Sequence, residues 1–283
     1  MSPGRSPRLP GNLLSGAAVL LALALVALLT PPFVRDGAYR VDLDHILSTP
    51  SWSHPLGTDG LGRDLGARVL CGARTSLAVG LMAASLSLLV GLPCGVIAGY
   101  RGGLADRIVS RCVEAVLCVP SLVVALALLA AEPRWLGRLP DALRIALVLG
   151  VTGWTPVARY LRAEFLRLAE SDLVSSARAC GAGAPRIVVR HLLPSSLAPV
   201  LVTAAFTVGA SILLEAALSF IGLGVPPPTP TWGGLLAEAR HHVARAWWLA
   251  LFPGLALFLA VLGCNLLGEG MRDLLDPRGG KRS

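Results

Sequence analysis

Residues 159–194 read RYLRAEFLRLAESDLVSSARACGAGAPRIVVRHLLP, a charged stretch set between two long apolar runs. From Glu164 to Cys180, Leu166, Ala169, Leu173 and Ala177 recur at i, i+3 and i+4 spacings opposite Arg167, Glu170 and Arg178, which predicts an amphipathic helix. Gly181, Ala182 and Gly183 break that helix, Pro185 suits the first turn of a second short one, and Pro194 is expected to stop it. The product is a helix, a turn and a helix, whose small residues Ser175, Ser176, Ala177, Ala179 and Gly181 let a partner's surface come close. Two readings are open at this level. The stretch is a docking knuckle for another protein, or it lies on anionic lipid with its arginines toward the headgroups.

Working outward, the flanking runs are two of six. A bilayer-spanning helix needs about 20 mostly apolar residues, and candidates fall at residues 13–29, 76–98, 113–131 with Pro120 inside, 142–158 with Pro156 near the end, 199–223 and 247–267. The chain of 283 residues is 54% hydrophobic and only 15% charged, with a mean hydropathy of +0.68. That is too much apolar surface for one core facing water, so the bilayer is the solvent for much of the chain. The first run follows a short tail carrying Arg5 and Arg8, and no small-x-small cleavage site comes before Thr30, Pro31 and Pro32, so it is expected to stay as an anchor.

Six spans put both termini on one side. The segments on that side hold most of the basic residues, among them Arg101, Arg107, Arg111, Arg178, Arg186, Arg190, Arg272, Arg278, Lys281 and Arg282, which places them inside. Trp52, Trp135, Trp232, Trp247 and Trp248 fall at or beyond the outer ends, where indoles are expected to anchor at the headgroups.

The net charge of +8 is spread in small groups between apolar runs, not gathered in a nucleic-acid patch. Lys281 is the only lysine and is followed by Arg282, so the chain has no G-x-x-x-x-G-K-[ST] phosphate loop and cannot be its own P-loop ATPase. Cys71, Cys94, Cys112, Cys118, Cys180 and Cys264 show no C-x-x-C pairing and are read as buried small hydrophobes, and no metal site is expected. Neither H-E-x-x-H nor G-x-S-x-G occurs, which argues against a membrane-embedded enzyme.

Among the polar residues inside candidate spans, Glu215 and Asn265 stand out. Glu215 is expected to face the bundle interior, either as part of a pathway or outer gate or as a hydrogen-bond partner for a neighbouring helix. Asn265 is expected to join helices by a hydrogen bond. The four prolines of residues 225–230 predict a stiff extended segment, read as a connector or as an outer contact.

The stretch Asp172-Leu-Val-Ser-Ser-Ala-Arg-Ala-Cys-Gly181, then nine residues, then His191-Leu-Leu-Pro194, resembles the EAA loop of binding-protein-dependent ABC-importer permeases. Residues 54–64 (HPLGTDGLGRD), with 72–77 (GARTSL) after them, are similar to the approach to the second span in the dipeptide, oligopeptide and nickel subfamily, in its second (C-type) subunit. Residues 154–162, 218–224 with 227–233, and 272–278 resemble further family stretches in family order. The match departs where Ser175 stands in place of the glutamate that gives the loop its name, where Ser176 replaces an alanine, and where His191 replaces an isoleucine.

The resemblance implies an all-α membrane protein of the type I ABC importer permease fold, with six transmembrane helices and a cytoplasmic helix-turn-helix coupling loop. Its layout would be a cytoplasmic tail (1–12), a first span (13–30), an extracytoplasmic loop with the GTDxxGRD motif (31–74), a five-helix core (75–267) containing the coupling loop (159–194), and a second cytoplasmic tail (268–283). It also implies a multi-pass protein of a bacterial inner membrane that pairs with a homologous permease as a heterodimer. Two ABC ATPase subunits would hold the ATP and magnesium, and an extracytoplasmic binding protein would deliver di- or oligopeptides, nickel or another small solute. The chain itself would bind no cofactor.

Coupling to the ATPases is assigned by the resemblance to Asp172, Ser175, Ser176, Ala177, Arg178, Gly181, Gly183, His191, Leu193 and Pro194. The outer-side motifs are Gly57, Thr58, Asp59, Gly62, Arg63 and Asp64 together with Trp232 and Gly233. A transporter driven by an ion gradient is the rival, with Glu215 its one intramembrane carboxylate candidate.

Overall fold

The computed structural model describes residues 10–131 and 136–275, so Arg5, Arg8, Trp135, Arg278, Lys281 and Arg282 lie outside the described residues. The chain forms α1 (Gly11–Leu29), α2 (Pro31–Tyr39), α3 (Leu65–Arg101), α4 (Gly103–Leu117), α5 (Ser121–Ala130), α6 (Asp141–Thr152), α7 (Thr155–Ala169), α8 (Asp172–Ala179), α9 (Ala184–Ile187), α10 (Leu193–Ile221), α11 (Trp232–Ala239) and α12 (Trp248–Leu275). Among the described residues there is no strand, only an isolated bridge between Thr58 and Asp64.

Four stretches are helical and apolar for long enough to cross a bilayer: α1, α3, residues Ala184–Ile221 taken together, and α12. The third and fourth apolar runs are each two helices in succession. In the third, α4 and α5 meet at an 84° bend, because Pro120 caps α5 and disfavours helix in the residue before it. The fourth is broken at Gly153 and Trp154, after which Pro156 sits in the first turn of α7.

α3 is the mast of the bundle. At about 1.5 Å per residue its 37 residues run about 55 Å, and α6, α7 and α10 pack along it while α1 and α10 flank α12. α7 comes in closely because Gly91, Gly95 and Gly99 form a one-sided stripe. A Cβ on them would lie 2.7 Å from Val157 Cβ, 2.8 Å from Leu161 Cβ and 2.6 Å from Phe165 Cβ respectively. Two ends result: one where Asp64 caps α3 by accepting the Ala67 N–H at 2.7 Å, and one, beyond Gly99, where α7 leads into residues 170–192.

Several expectations are corrected. The stripe Leu166, Ala169, Leu173 and Ala177 is not the buried face: Leu166 and Leu173 are exposed, while Phe165 and Val174 are fully buried. The single helix expected over residues 164–180 is interrupted at Glu170 and Ser171, which turns α8 so that a different face points inward. Pro194 does not stop a helix. It stands in the first turn of α10, reached through a π-turn at Val188–Leu192 in which the Leu193 N–H bonds back to Val188 O; the wider turn relieves the clash a proline ring makes with the preceding turn.

Trp232 and Trp248 are not headgroup anchors but core residues, 1% and 2% exposed, with their indole N–H groups donated to Val69 O and Thr58 O. Of the six cysteines, Cys71 and Cys264 are buried, but Cys112, Cys118 and Cys180 are exposed.

Candidate functional site

At the capped end of α3 the Gly57–Asp64 motif is a knot of backbone turns and buried charge. Gly57 and Gly62 have φ of +79° and +74°, conformations that favour glycine. Asp59, 2% exposed, accepts the Leu61 and Arg63 N–H groups on Oδ1 at 2.8 and 3.0 Å. Its Oδ2 accepts Arg63 Nε at 2.7 Å and Arg68 Nη1 at 2.6 Å. Arg68 then forks onto Glu238 of α11, with Nη2 to Oε1 at 2.9 Å and Nη1 to Oε2.

Two guanidiniums and the Asp59 carboxylate are buried and the half-exposed Glu238 completes the charge balance, and their bonds tie the motif and α3 to α11. Thr58 Oγ1 accepts the Ser48 N–H at 2.8 Å, and Asp64 accepts a second bond from His54 Nδ1 at 2.9 Å. Nearby, the hydrogen bond from His45 holds the Asp42 carboxyl below its ordinary range. With Thr58, Asp59 and Arg63 all buried, most of this motif's side chains hold these turns together. Arg68 and Glu238 were missed at the level of sequence. The i,i+4 spacing of Asp59 and Arg63 was a signal for half of the quartet, but nothing local links residues 170 positions apart.

One layer further in, Trp232 donates its backbone N–H to Ser76 Oγ at 3.1 Å. Gly233 is packed so closely on α10 that a Cβ would lie 2.5 Å from Ala216 Cα. Glu215 is fully buried there, accepting from Ser219 Oγ at 2.7 Å and from Ser76 Oγ of α3 at 3.3 Å. It bonds both its own helix and a neighbour. Asn265 is exposed on α12 and makes no hydrogen bond among the described residues.

At the opposite end α8, α9 and the π-turn fold into a compact knuckle. Leu161 and Phe165 of α7, Val174 of α8, Ile187 of α9, Leu192 of the π-turn and Val200 of α10 form one buried cluster, with Ala177 packed against it. Gly181 has φ +77° and its N–H bonds Arg178 O while that of Ala182 bonds Ala177 O, the left-handed cap that ends α8. Asp172, Ser175, Ser176, Arg178, Gly181, Gly183 and Pro194 are exposed, and His191 and Leu193 are half-buried. A Cβ on Gly181 would meet nothing within 4 Å. The knuckle thus presents small and charged residues outward on a support fixed to two long helices.

Among the described residues no group of three or more His, Cys, Asp or Glu is placed to hold a metal ion.

The family model described as "Binding-protein-dependent transport system inner membrane component" matches residues 91–280. A putative peptide transport system permease protein of Brucella suis is 40% identical over 263 residues, 93% of this chain and 86% of its own length. The di/tripeptide transport system permease protein DppC of Pseudomonas aeruginosa is 38% identical over 274 residues, 94% and 88% of the two chains. A glutathione transport system permease protein of Pectobacterium atrosepticum is 38% identical over 260 residues, 92% and 84%. Among solved structures, the MetNI methionine ABC transporter in inward-facing conformations aligns with a TM-score of 0.61 at 19% identity, over 73% of this chain and 96% of that one; this likeness concerns the fold alone.

Proposed function

The chain belongs to the family of binding-protein-dependent transport system inner membrane components, and from that premise we propose how it divides the work of import with its partners. It is a permease subunit that makes and breaks no bonds. We assign ATP and magnesium to two separate ATPase subunits, the other half of the pathway to a homologous permease, and cargo delivery to an extracytoplasmic binding protein. Peptides are the cargo we propose, since relatives named for peptides, di/tripeptides and glutathione align over nine-tenths of the chain. We assign the knuckle end, and both termini with it, to the cytoplasm, a reading supported by the arginines concentrated at that end.

One observation carries the coupling role: the knuckle is exposed where it can be gripped and buried where it is attached. Its cluster joins α8 and α9 to α7 and α10 in a single packed unit, so a displacement of α8 must move both long helices or break that packing. An ATPase that holds the knuckle differently with and without nucleotide would shift the permease between its two states by that difference in affinity.

Gly181→Glu tests this when the complex is purified from native membranes and assayed for ATPase. Because φ at Gly181 disfavours any side chain, Gly181→Ala serves as the control and should cost about 1 kcal/mol while keeping the ATPases bound. Gly181→Glu should insert normally and lose them. Normal ATP-driven uptake by Gly181→Glu would refute the docking role.

A further inference from the structure

Three cavities meet along the exposed face of α7. The first, about 570 Å³, lies against α4 and includes Arg159 in its wall. The second, 350 Å³, is formed by Leu117 at the α4–α5 bend with Pro156, Arg159 and Tyr160. The third, 730 Å³, opens between α7, α10 and the end of α12, and includes Pro156, Tyr160, Thr203 and Arg272. Neighbouring cavities share Arg159 or Tyr160, so together they make one furrow over α7.

The depth of the furrow follows from packing. The backbone on either side of Arg159 is pressed on Gly91 and Gly95 of α3, about two turns before α3 ends at Arg101. Arg159 therefore sits alongside the last turns of the apolar run 76–98 of α3. The charges around it are mostly committed: Arg162 grips Asp106 at 2.5 and 2.7 Å, Arg167 pairs with Glu164, and Arg111 with Glu114. Arg159 has no hydrogen-bond or ion-pair partner among the described residues, and its side chain is exposed to the furrow. An ionisable residue at such depth faces a water-filled cavity and marks a pathway; a surface against lipid tails would be apolar there.

We propose that this furrow is the chain's share of the inner half of the import pathway, and that Arg159 reads a carboxylate on the passing cargo. A guanidinium offers a planar fork that matches a carboxylate. Every free peptide carries one at its end whatever its side chains, so one arginine can serve a broad range of peptides. The inference rests on the importer reading above, and it adds a recognition residue within the pathway.

The test uses the whole importer with its binding protein, reconstituted in phosphatidylcholine vesicles with and without phosphatidylglycerol. The probes are tri-alanine and its C-terminal amide, and the readout is the ratio of their ATP-driven kcat/KM values. Since the same binding protein serves every assay, its own preference cancels between variants. The wild type should favour the free acid, and Arg159→Gln should reduce that ratio by about tenfold, with Arg159→Lys in between. A ratio in Arg159→Gln equal to that of the wild type overturns the proposal. So does an effect of Arg159→Gln that follows phosphatidylglycerol instead of the cargo terminus, which would make the site a phospholipid's, or loss of the second permease from Arg159→Gln preparations, which would make it a subunit contact. ATP-driven uptake of neither probe by the wild type would instead defeat the importer reading beneath it.

Discussion

Arg68 shows how much one side chain can hold. It is 2% exposed and bridges Asp59, equally buried, to Glu238 on another helix. Removing it leaves Asp59 bonded to Arg63 and two backbone N–H groups but takes away its second guanidinium, a bond to a charged group worth about 1.5–3 kcal/mol. Arg68→Ala should therefore lower the unfolding midpoint of the detergent-solubilised chain sharply, and a loss below about 1 kcal/mol would show that water replaces the pair. Glu215 is a milder case. A glutamine can still accept from one serine through its oxygen and donate to the other through its amide nitrogen, so Glu215→Gln should leave assembly and ATP-driven uptake near wild type, whereas Glu215→Leu strands both hydroxyls at about 1–3 kcal/mol. Loss of uptake in an assembled Glu215→Gln complex would point to a role in the pathway. The sequence showed that Glu215 had to face inward, because a carboxylate in lipid is costly. It could not show that Ser76, 139 positions away, would meet it.

At the scale of elements, α3 and α7 depend on a surface without side chains. Gly91, Gly95 and Gly99 let the α7 backbone approach, and Trp154 O, Ala158 O and Arg162 O would lie 2.8, 2.9 and 2.9 Å from added Cβ atoms. Gly95→Leu should separate α7 from α3 and carry the knuckle with it, read as loss of ATPase co-purification in a chain that still inserts; retention of the ATPases would mean that the knuckle is held by α10 alone. The element boundaries were only partly legible. Six apolar runs were visible as runs, since length and hydropathy are local properties. The break at Gly153 and the turn at Glu170 were not, because each is decided by what the following helix packs on. The stripe chosen for residues 164–180 failed for the same reason: with Leu166 and Leu173 exposed and Phe165 and Val174 buried, the packing on α3 and α10 selected a different face from the one a single continuous helix would present.

At the scale of the whole molecule, a polar network and an apolar cluster lie at opposite ends of one mast. The charged quartet and the hydrogen bonds of Glu215 hold α3, α10 and α11 together at the Asp64 end, and the knuckle cluster holds α7 and α10 at the other. α10 belongs to both, which is how a push on the knuckle would be felt at the far end. The sequence by itself determined that the chain lives in a bilayer, that it carries no phosphate loop of its own, and that residues 159–194 form a folded, glycine-broken helical unit. Composition, a missing motif and short-range periodicity suffice for these. Only the tertiary structure decided which face of that unit is exposed, that the Gly57–Asp64 motif is largely buried, and that Arg159 has no counter-ion among the described residues. Those facts depend on side chains far apart in the chain arriving at one place, and a buried charge is paired or left alone by its neighbours in space.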